Sequence, residues 1–220
     1  GEHLADIFQG HLDSLTLLFP DGDLTDLTAL YQNAPGPQLM NRLVCEAVLT
    51  TAARSPKDRT LRILEIGAGT GGTTAHLLSA LSELSHTVDY HFTDISPRFI
   101  TAAKARFQNY DFVDYALLNI ENSVEDQGFT SSFDIVITAN VLHATADLHH
   151  ALSHVSALLA PGGQLLLIEG TQPIGWVDLV FGLTPGWWRF TDTALREKHP
   201  LISVEKWQRL LKQYLSGRQT

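Results

Sequence analysis

Two groups of residues in this chain are of types and spacings that can do chemistry. The first is Leu64-Glu65-Ile66-Gly67-Ala68-Gly69-Thr70-Gly71-Gly72, an apolar run ending in an acid, then a glycine-rich turn, then a helical pattern. Gly67 and Gly69 let the backbone turn tightly and approach a ligand where a Cβ would forbid it. The helix that follows points its free N–H groups over that turn. Such a combination is a cradle for a nucleotide or nucleoside. The second group is His143, in Asn140-Val141-Leu142-His143-Ala144-Thr145, and Glu169, in Leu167-Ile168-Glu169-Gly170. An imidazole takes up a proton near neutrality without a large perturbation. A carboxylate bonded to one ring nitrogen fixes its tautomer and stabilises the imidazolium. Together they form a candidate general base.

The loop alone admits two ligands. Gly67, Gly69 and Gly72 satisfy G-x-G-x-x-G, the dinucleotide pattern, which also wants an acid some 20 residues on for a ribose. Asp94, closing the run His91-Phe92-Thr93, fits that requirement. Gly67, Gly69 and Gly71 equally form G-x-G-x-G directly after Glu65. Glu65 separates the two. A pyrophosphate is anionic, and a carboxylate beside its loop repels it. S-adenosylmethionine (SAM) has no phosphate but carries an ammonium and a sulfonium, so there a carboxylate is an asset. SAM is therefore the expected cofactor, with S-adenosylhomocysteine (SAH) as its product, and a nicotinamide dinucleotide is the alternative. Asp94 is expected to accept from both ribose hydroxyls through its two oxygens. Ile95 and Ile120 would sandwich the adenine, and Asn119 would pair with its edge.

These residues need elements to position them. Residues 1–60 read as helical, with Leu24, Leu27, Leu30 and Tyr31 at helical spacing and a second run from Leu39 to about Ala53. Pro35-Gly36-Pro37 breaks the two. From Leu61 strands and helices alternate: strand Leu61–Ile66, helix 72–84, strand 88–93, helix 97–110, strands 113–118 and 133–138, helix 148–159 and strand 164–168. Ile135-Val136-Ile137 and Leu165-Leu166-Leu167-Ile168 are continuously apolar, as strands buried on both faces must be. Alternation of this kind predicts an α/β fold, a Rossmann-like parallel sheet flanked by helices. Ligands then bind outside the C-terminal strand ends. Glu65, Asp94, Asn119, Asn140–His143 and Glu169 each end a strand, so one rim gathers every candidate. A closing helix is expected after Ser203, built on Trp207, Leu210 and Leu211.

Composition narrows the class. The 220 residues are 44% hydrophobic, enough for one substantial core. One cysteine excludes a disulfide framework and fits a reducing cytoplasm. A net charge of −9 argues against a nucleic-acid partner, and no apolar run reaches the roughly 20 residues of a membrane span. Past Trp187 basic residues outnumber acidic ones, a solvated helix face or a docking surface for an acidic partner. The chain opens on Gly1 rather than methionine, as expected of a domain cut from a longer protein. No Cys or acid spacing supports metal ligation by His143 with His149 and His150.

Taken together, Leu64–Gly72, Thr93-Asp94-Ile95-Ser96, Asn140–Thr145, Leu167–Gly170 and Pro185-Gly186-Trp187-Trp188 resemble the C-methyltransferase domains of polyketide synthases, a class I SAM-dependent group. The resemblance runs from about Tyr31 to Leu211. It implies methylation of the α-carbon of a β-ketoacyl chain held by phosphopantetheine on an acyl carrier protein, beside the other domains of a synthase. It assigns the base to His143 and Glu169. Asn140 joins the cofactor residues, residues 1–60 resemble a lid from which Tyr31 covers SAM, and residues 61–220 form the core. Phe181, Trp187 and Trp188, in an aromatic segment over residues 173–200, are the candidate substrate residues. The group usually ends its sheet with an antiparallel strand pair, for which this sequence offers no obvious candidate. An O-methyltransferase or an inactive scaffolding domain are the competing readings; intact glycines, Asp94, His143 and Glu169 argue against the second.

Overall fold

Five apolar runs become five strands, β1 (Leu61–Ile66), β2 (Val88–Asp94), β3 (Val113–Leu117), β4 (Phe133–Ala139) and β5 (Leu159–Ile168). All pair in parallel, in the order β3-β2-β1-β4-β5. The computed structural model describes residues 3–14, 16 and 25–215, with the side chains of residues 26, 27, 30, 31 and 185 excepted. Leu24 and the side chains of Leu27, Leu30 and Tyr31 lie outside the described residues.

Parallel strands need crossovers, and helices supply them. In chain order the helices are α1 (Leu4–Phe8), α2 (Thr25–Asn33), α3 (Pro35–Arg54), α4 (Gly72–Ser82), α5 (Pro97–Arg106), α6 (Leu148–Leu158), α7 (Gly175–Val180) and α8 (Val204–Leu215). The central strands are buried on both faces. Ile63, Tyr90, Ile135 and Ile137 pack with Val44 and Val48 of α3 and Leu77 and Leu78 of α4. Leu64, Ile66 and Val136 pack the opposite face against Leu152 and Val155 of α6 and Trp207 and Leu210 of α8. The N-terminal helix α3 therefore contributes to the core through one stripe while Leu39, Met40 and Leu43 stay exposed.

Several boundaries shift from expectation, among them the end of the helix expected over 97–110, which stops at Arg106, and two have a clear local cause. The Pro35-Gly36-Pro37 break is only one residue wide: Ala34 is extended and Pro35 opens α3, because a proline in the first turn loses no helical hydrogen bond. Strand β5 starts five residues early, directly after α6, and its pairing with β4 is irregular between Phe133 and Ile135. Gly163 sits in that irregularity, where a Cβ would lie 2.7 Å from the Phe133 carbonyl oxygen.

Chain order reverses between β1 and β4, since β2 and β3 continue to one side and β5 to the other. That is the switch point, and the rim of the crevice there is where ligands bind. Register makes it exact in height: Ile66 pairs with Thr138, and Ala139 with Ile168. The glycine loop, Asn140 and Glu169 thus leave the sheet side by side. Among the described residues the sheet ends at β5, and no helix is long and apolar enough to cross a membrane.

Candidate active site

A cavity of about 620 Å³ opens over the switch point, within the range of small-molecule sites. The glycine loop forms its floor. Gly67, Gly69 and Gly71 have φ of 62°, 55° and 74°, left-handed values that side chains resist. A Cβ on Gly67 would also stand 2.7 Å from Val141 Cγ2, so the two strand ends meet with no room for a methyl group. Gly67→Ala is therefore expected to lower stability by about 1–3 kcal/mol. Thermal denaturation checks this, and an unchanged melting temperature would contradict it.

Asp94, 5% exposed, fastens the loop: its Oδ2 accepts from Gly69 N at 2.9 Å and its Oδ1 from Ser96 N at 2.8 Å. A carboxylate offers about four lone-pair sites, so acceptor capacity remains toward the cavity that Asp94 lines. Glu65 lines the cavity too, but not as a free carboxylate. It is 2% exposed, and its Oε2 accepts from Thr74 Oγ1 at 2.5 Å and from the Tyr90 hydroxyl. Burial raises its pKa from 4.5 to about 7, and the two hydroxyl donors only partly offset that. Tyr90 and Thr74 escaped the sequence reading, although a tyrosine inside an apolar strand is a usable signal.

The second constellation forms across β4 and β5. His143 Nδ1 lies 2.6 Å from Glu169 Oε2, with the two side chains 11% and 2% exposed. Glu169 Oε1 accepts from Val141 N at 3.0 Å and Leu142 N at 2.7 Å, so the carboxylate also caps the single helical turn Leu142–Ala144. Facing a carboxylate, Nδ1 carries the proton and Nε2 is left as the basic nitrogen. Asn140, with φ 56°, turns the chain from β4 into this feature and lines the cavity. Glu169 belongs to the cavity wall as well, whereas the His143 ring stands outside it, edge-on to Trp187 at 5.1 Å and 66°.

Known proteins share this sequence and architecture. Residues 64–165 match a family described as a methyltransferase domain. The chain is 40% identical over 214 residues to the non-reducing polyketide synthase mapC of Penicillium brevicompactum, covering 96% of itself and 9% of that protein. The CurJ carbon methyltransferase superposes with a TM-score of 0.91 at 44% identity, over 96% of this chain and 56% of that one. The trans-methyltransferase CalH, solved in complex with SAH, gives a TM-score of 0.81 at 38% identity, over 97% and 57%. The chain carries a methyltransferase domain, and it is similar to the carbon methyltransferase domains of polyketide synthases. It spans less than a tenth of the synthase and little over half of each structural neighbour.

SAM is the cofactor of this methyltransferase domain. The residues present fit it: a glycine floor that a Cβ would fill, an acid at the β2 end, and a carboxylate in the wall, with no Lys or Arg among the described residues that line the cavity. A cation bound beside Glu65 would stabilise its ionised form. Binding below pH 7 then releases a proton, and SAM affinity should rise as pH climbs from about 6 to 8. Without ligand the sign is opposite. Between 4.5 and about 7 the native state holds a proton the unfolded state has lost, so stability falls as pH rises through that window. Calorimetry in buffers of different ionisation enthalpy checks the first statement; Glu65→Gln should flatten the pH dependence.

Not every expected cofactor residue reaches the cavity of the methyltransferase. Ile95, 60% exposed, lines it together with Phe99. Ile120 does not: it is 5% exposed and packs into the core with Leu118 and Phe129. Asn119 folds onto its own turn, its Oδ1 accepting from Glu121 N at 3.0 Å, and its backbone N–H donates to Gln127 Oε1. Of the pair expected at the adenine, Ile95 lines the cavity and Ile120 packs in the core. Tyr31 falls in α2, its side chain outside the described residues.

The aromatic segment of the methyltransferase is partly core. Trp187 is 7% exposed, stacked on Phe181 at 6.0 Å and edge-on to His143. Trp188 is half exposed, and its indole N–H donates to the Gly182 carbonyl at 2.8 Å. The basic tail loses much of its docking character. Arg196 is buried, Arg189 pairs with Glu121, and Lys206 Nζ donates to the Leu195 carbonyl at 2.6 Å. Among the described residues one group could hold a metal ion, Asp89, His91 and Asp114, and it lies on β2 and β3 away from the cavity. Arg62 Nε stands 3.3 Å from its Asp89.

Proposed function

We propose that this domain methylates the α-carbon of a β-ketoacyl chain tethered through phosphopantetheine to an acyl carrier protein. The observation that carries the reading is the His143–Glu169 pair at 2.6 Å, which leaves Nε2 as a base oriented from the opposite nitrogen. Carbon methylation needs a carbanion equivalent, so an α-proton must leave. Two flanking carbonyls acidify that proton, which makes an imidazole strong enough. When bound, SAM supplies the electrophile, a methyl group on a sulfonium. Nε2 takes the α-proton, and Glu169 stabilises the imidazolium through Nδ1–H. Asn140, at the cavity wall, is positioned to steady the enolate oxygen. Holding the two reactants in line then supplies most of the acceleration.

Phe181, Trp187 and Trp188 guide the acyl chain toward His143 in this reading, and the ring outside the cavity wall favours acceptor and donor entering from different sides. Residues 1–60 act as the lid over SAM, with Tyr31 in it, and residues 61–220 as the catalytic core. The domain works within a cytoplasmic synthase, next to its carrier protein and other domains. Incubating a β-ketoacyl carrier protein with SAM and the domain should raise the mass of the acyl chain by one CH2, a methyl group gained for a hydrogen lost. An unchanged mass alongside normal SAM binding would overturn the substrate assignment.

A further inference from the structure

Arg196 is a cation that is 1% exposed, and it heads the fully buried side chains by volume. A buried guanidinium is tolerable only when it is paired, and each of its three nitrogens has an acceptor. Nε donates to Asp192 Oδ1 at 2.5 Å, Nη1 to the His143 carbonyl at 3.0 Å, and Nη2 to the Thr145 and Ala146 carbonyls, both at 2.9 Å. Asp192 is engaged in turn, its Oδ2 accepting from Leu148 N at 3.0 Å at the start of α6. Every acceptor of the guanidinium except Asp192 lies on the segment that carries the base.

Glu169 holds the other side of the same segment. Its carboxylate takes the N–H groups of Val141 and Leu142, while Arg196 takes the carbonyls of His143, Thr145 and Ala146. Between them lies one helical turn of three residues, too short to be stable by its own hydrogen bonds. An anion on the donor side and a cation on the acceptor side therefore fix a backbone that cannot fix itself. Packing alone would not call for this, since apolar residues of equal volume replace a buried ion pair at little or no cost in stability.

We propose that the Asp192–Arg196 pair is a positioning device for the base: it clamps the carbonyl side of the His143 turn so that Nδ1 stays on Glu169 and Nε2 faces the acceptor. The inference rests on His143 being the base. Arg196 touches neither the cavity nor the reacting atoms, so its role is exerted through His143.

The test uses Arg196→Met, which keeps the bulk and removes the fork, and Arg196→Lys, which keeps the charge on one nitrogen. Imidazole nitrogen resonances in histidine-labelled protein are compared with wild type, His143 being identified by its loss in His143→Ala. Both variants should bind SAH as wild type does, show a mixture of His143 tautomers, and lose turnover by about 100-fold in Arg196→Met, the scale of an ångström misplacement. Arg196→Lys should recover part of that rate, with the loss in kcat rather than KM. Wild-type His143 signals in a folded Arg196→Lys protein, with only a lower melting temperature, would overturn the proposal. Should Arg196→Met not fold, the imidazole signals of Arg196→Lys decide it. That readout needs no acceptor, so failure of wild-type protein to methylate a β-ketoacyl chain would count against the substrate assignment alone.

Discussion

His143→Ala should slow methyl transfer by about 10²–10⁴-fold, the usual contribution of a positioned general base. SAM should still bind normally. The two halves of that expectation come from one piece of geometry. The His143 ring is absent from the wall of the cofactor cavity, which the neighbouring Asn140, Val141 and Ala144 help to form, so removing the ring leaves the cofactor contacts in place. It faces Trp187 instead, edge-on at 5.1 Å. Methyl-transfer rates with SAH calorimetry on the same preparation separate the effects. Full activity would remove His143 from the mechanism, and lost SAH binding would mean that the loop had collapsed.

Glu169→Gln should be as damaging, by about 10⁴-fold if the loss follows other carboxylate–histidine bases given the wrong tautomer. Wild-type Glu169 only accepts: from Val141 and Leu142 N–H on Oε1 and from His143 Nδ1–H, at 2.6 Å, on Oε2. An amide has one oxygen. Turned toward the backbone, it leaves its NH₂ against Nδ1 and forces the ring to carry its proton on Nε2, where the base is needed. Turned toward the ring, it sets NH₂ against the backbone donors, leaving buried groups unpaired at about 1–3 kcal/mol each. Rate against pH and a thermal melt distinguish the outcomes. An unchanged rate would reduce Glu169 to a structural cap.

The scaffold and the His143–Glu169 pair were legible in the sequence because both depend on local pattern plus one topological rule. Ile135-Val136-Ile137 and Leu165–Ile168 can only be buried strands, and neighbouring parallel strands that end in register deliver His143 and Glu169 to one point. What stayed hidden depends on the phase of non-local partners. Glu65 looked like a free carboxylate because the hydroxyl of Tyr90 reaches it from the next strand, where Tyr90 pairs with Ile63 on the same face. Ile120 is buried among core residues and Asn119 accepts from its own turn, contacts that their spacing in the sequence does not reveal. Arg196 read as one charge in a basic tail. Only folding brings it to the His143 carbonyl, 53 residues earlier in the chain.

The central claim, that this site removes an α-proton and places a methyl group on carbon, is tested most directly by isotope accounting. A β-ketoacyl carrier protein carrying two deuterons on the α-carbon is mixed with SAM and the domain, quenched after one turnover and weighed by mass spectrometry, with His143→Ala in parallel. The account predicts one methyl gained and one deuteron lost with the wild-type domain, and neither change with the variant. Methylation of the enol oxygen would also cost one deuteron, so the SAM methyl is labelled with carbon-13, and a product whose labelled methyl resonates as a methoxy rather than as a carbon-bound methyl group would contradict the account.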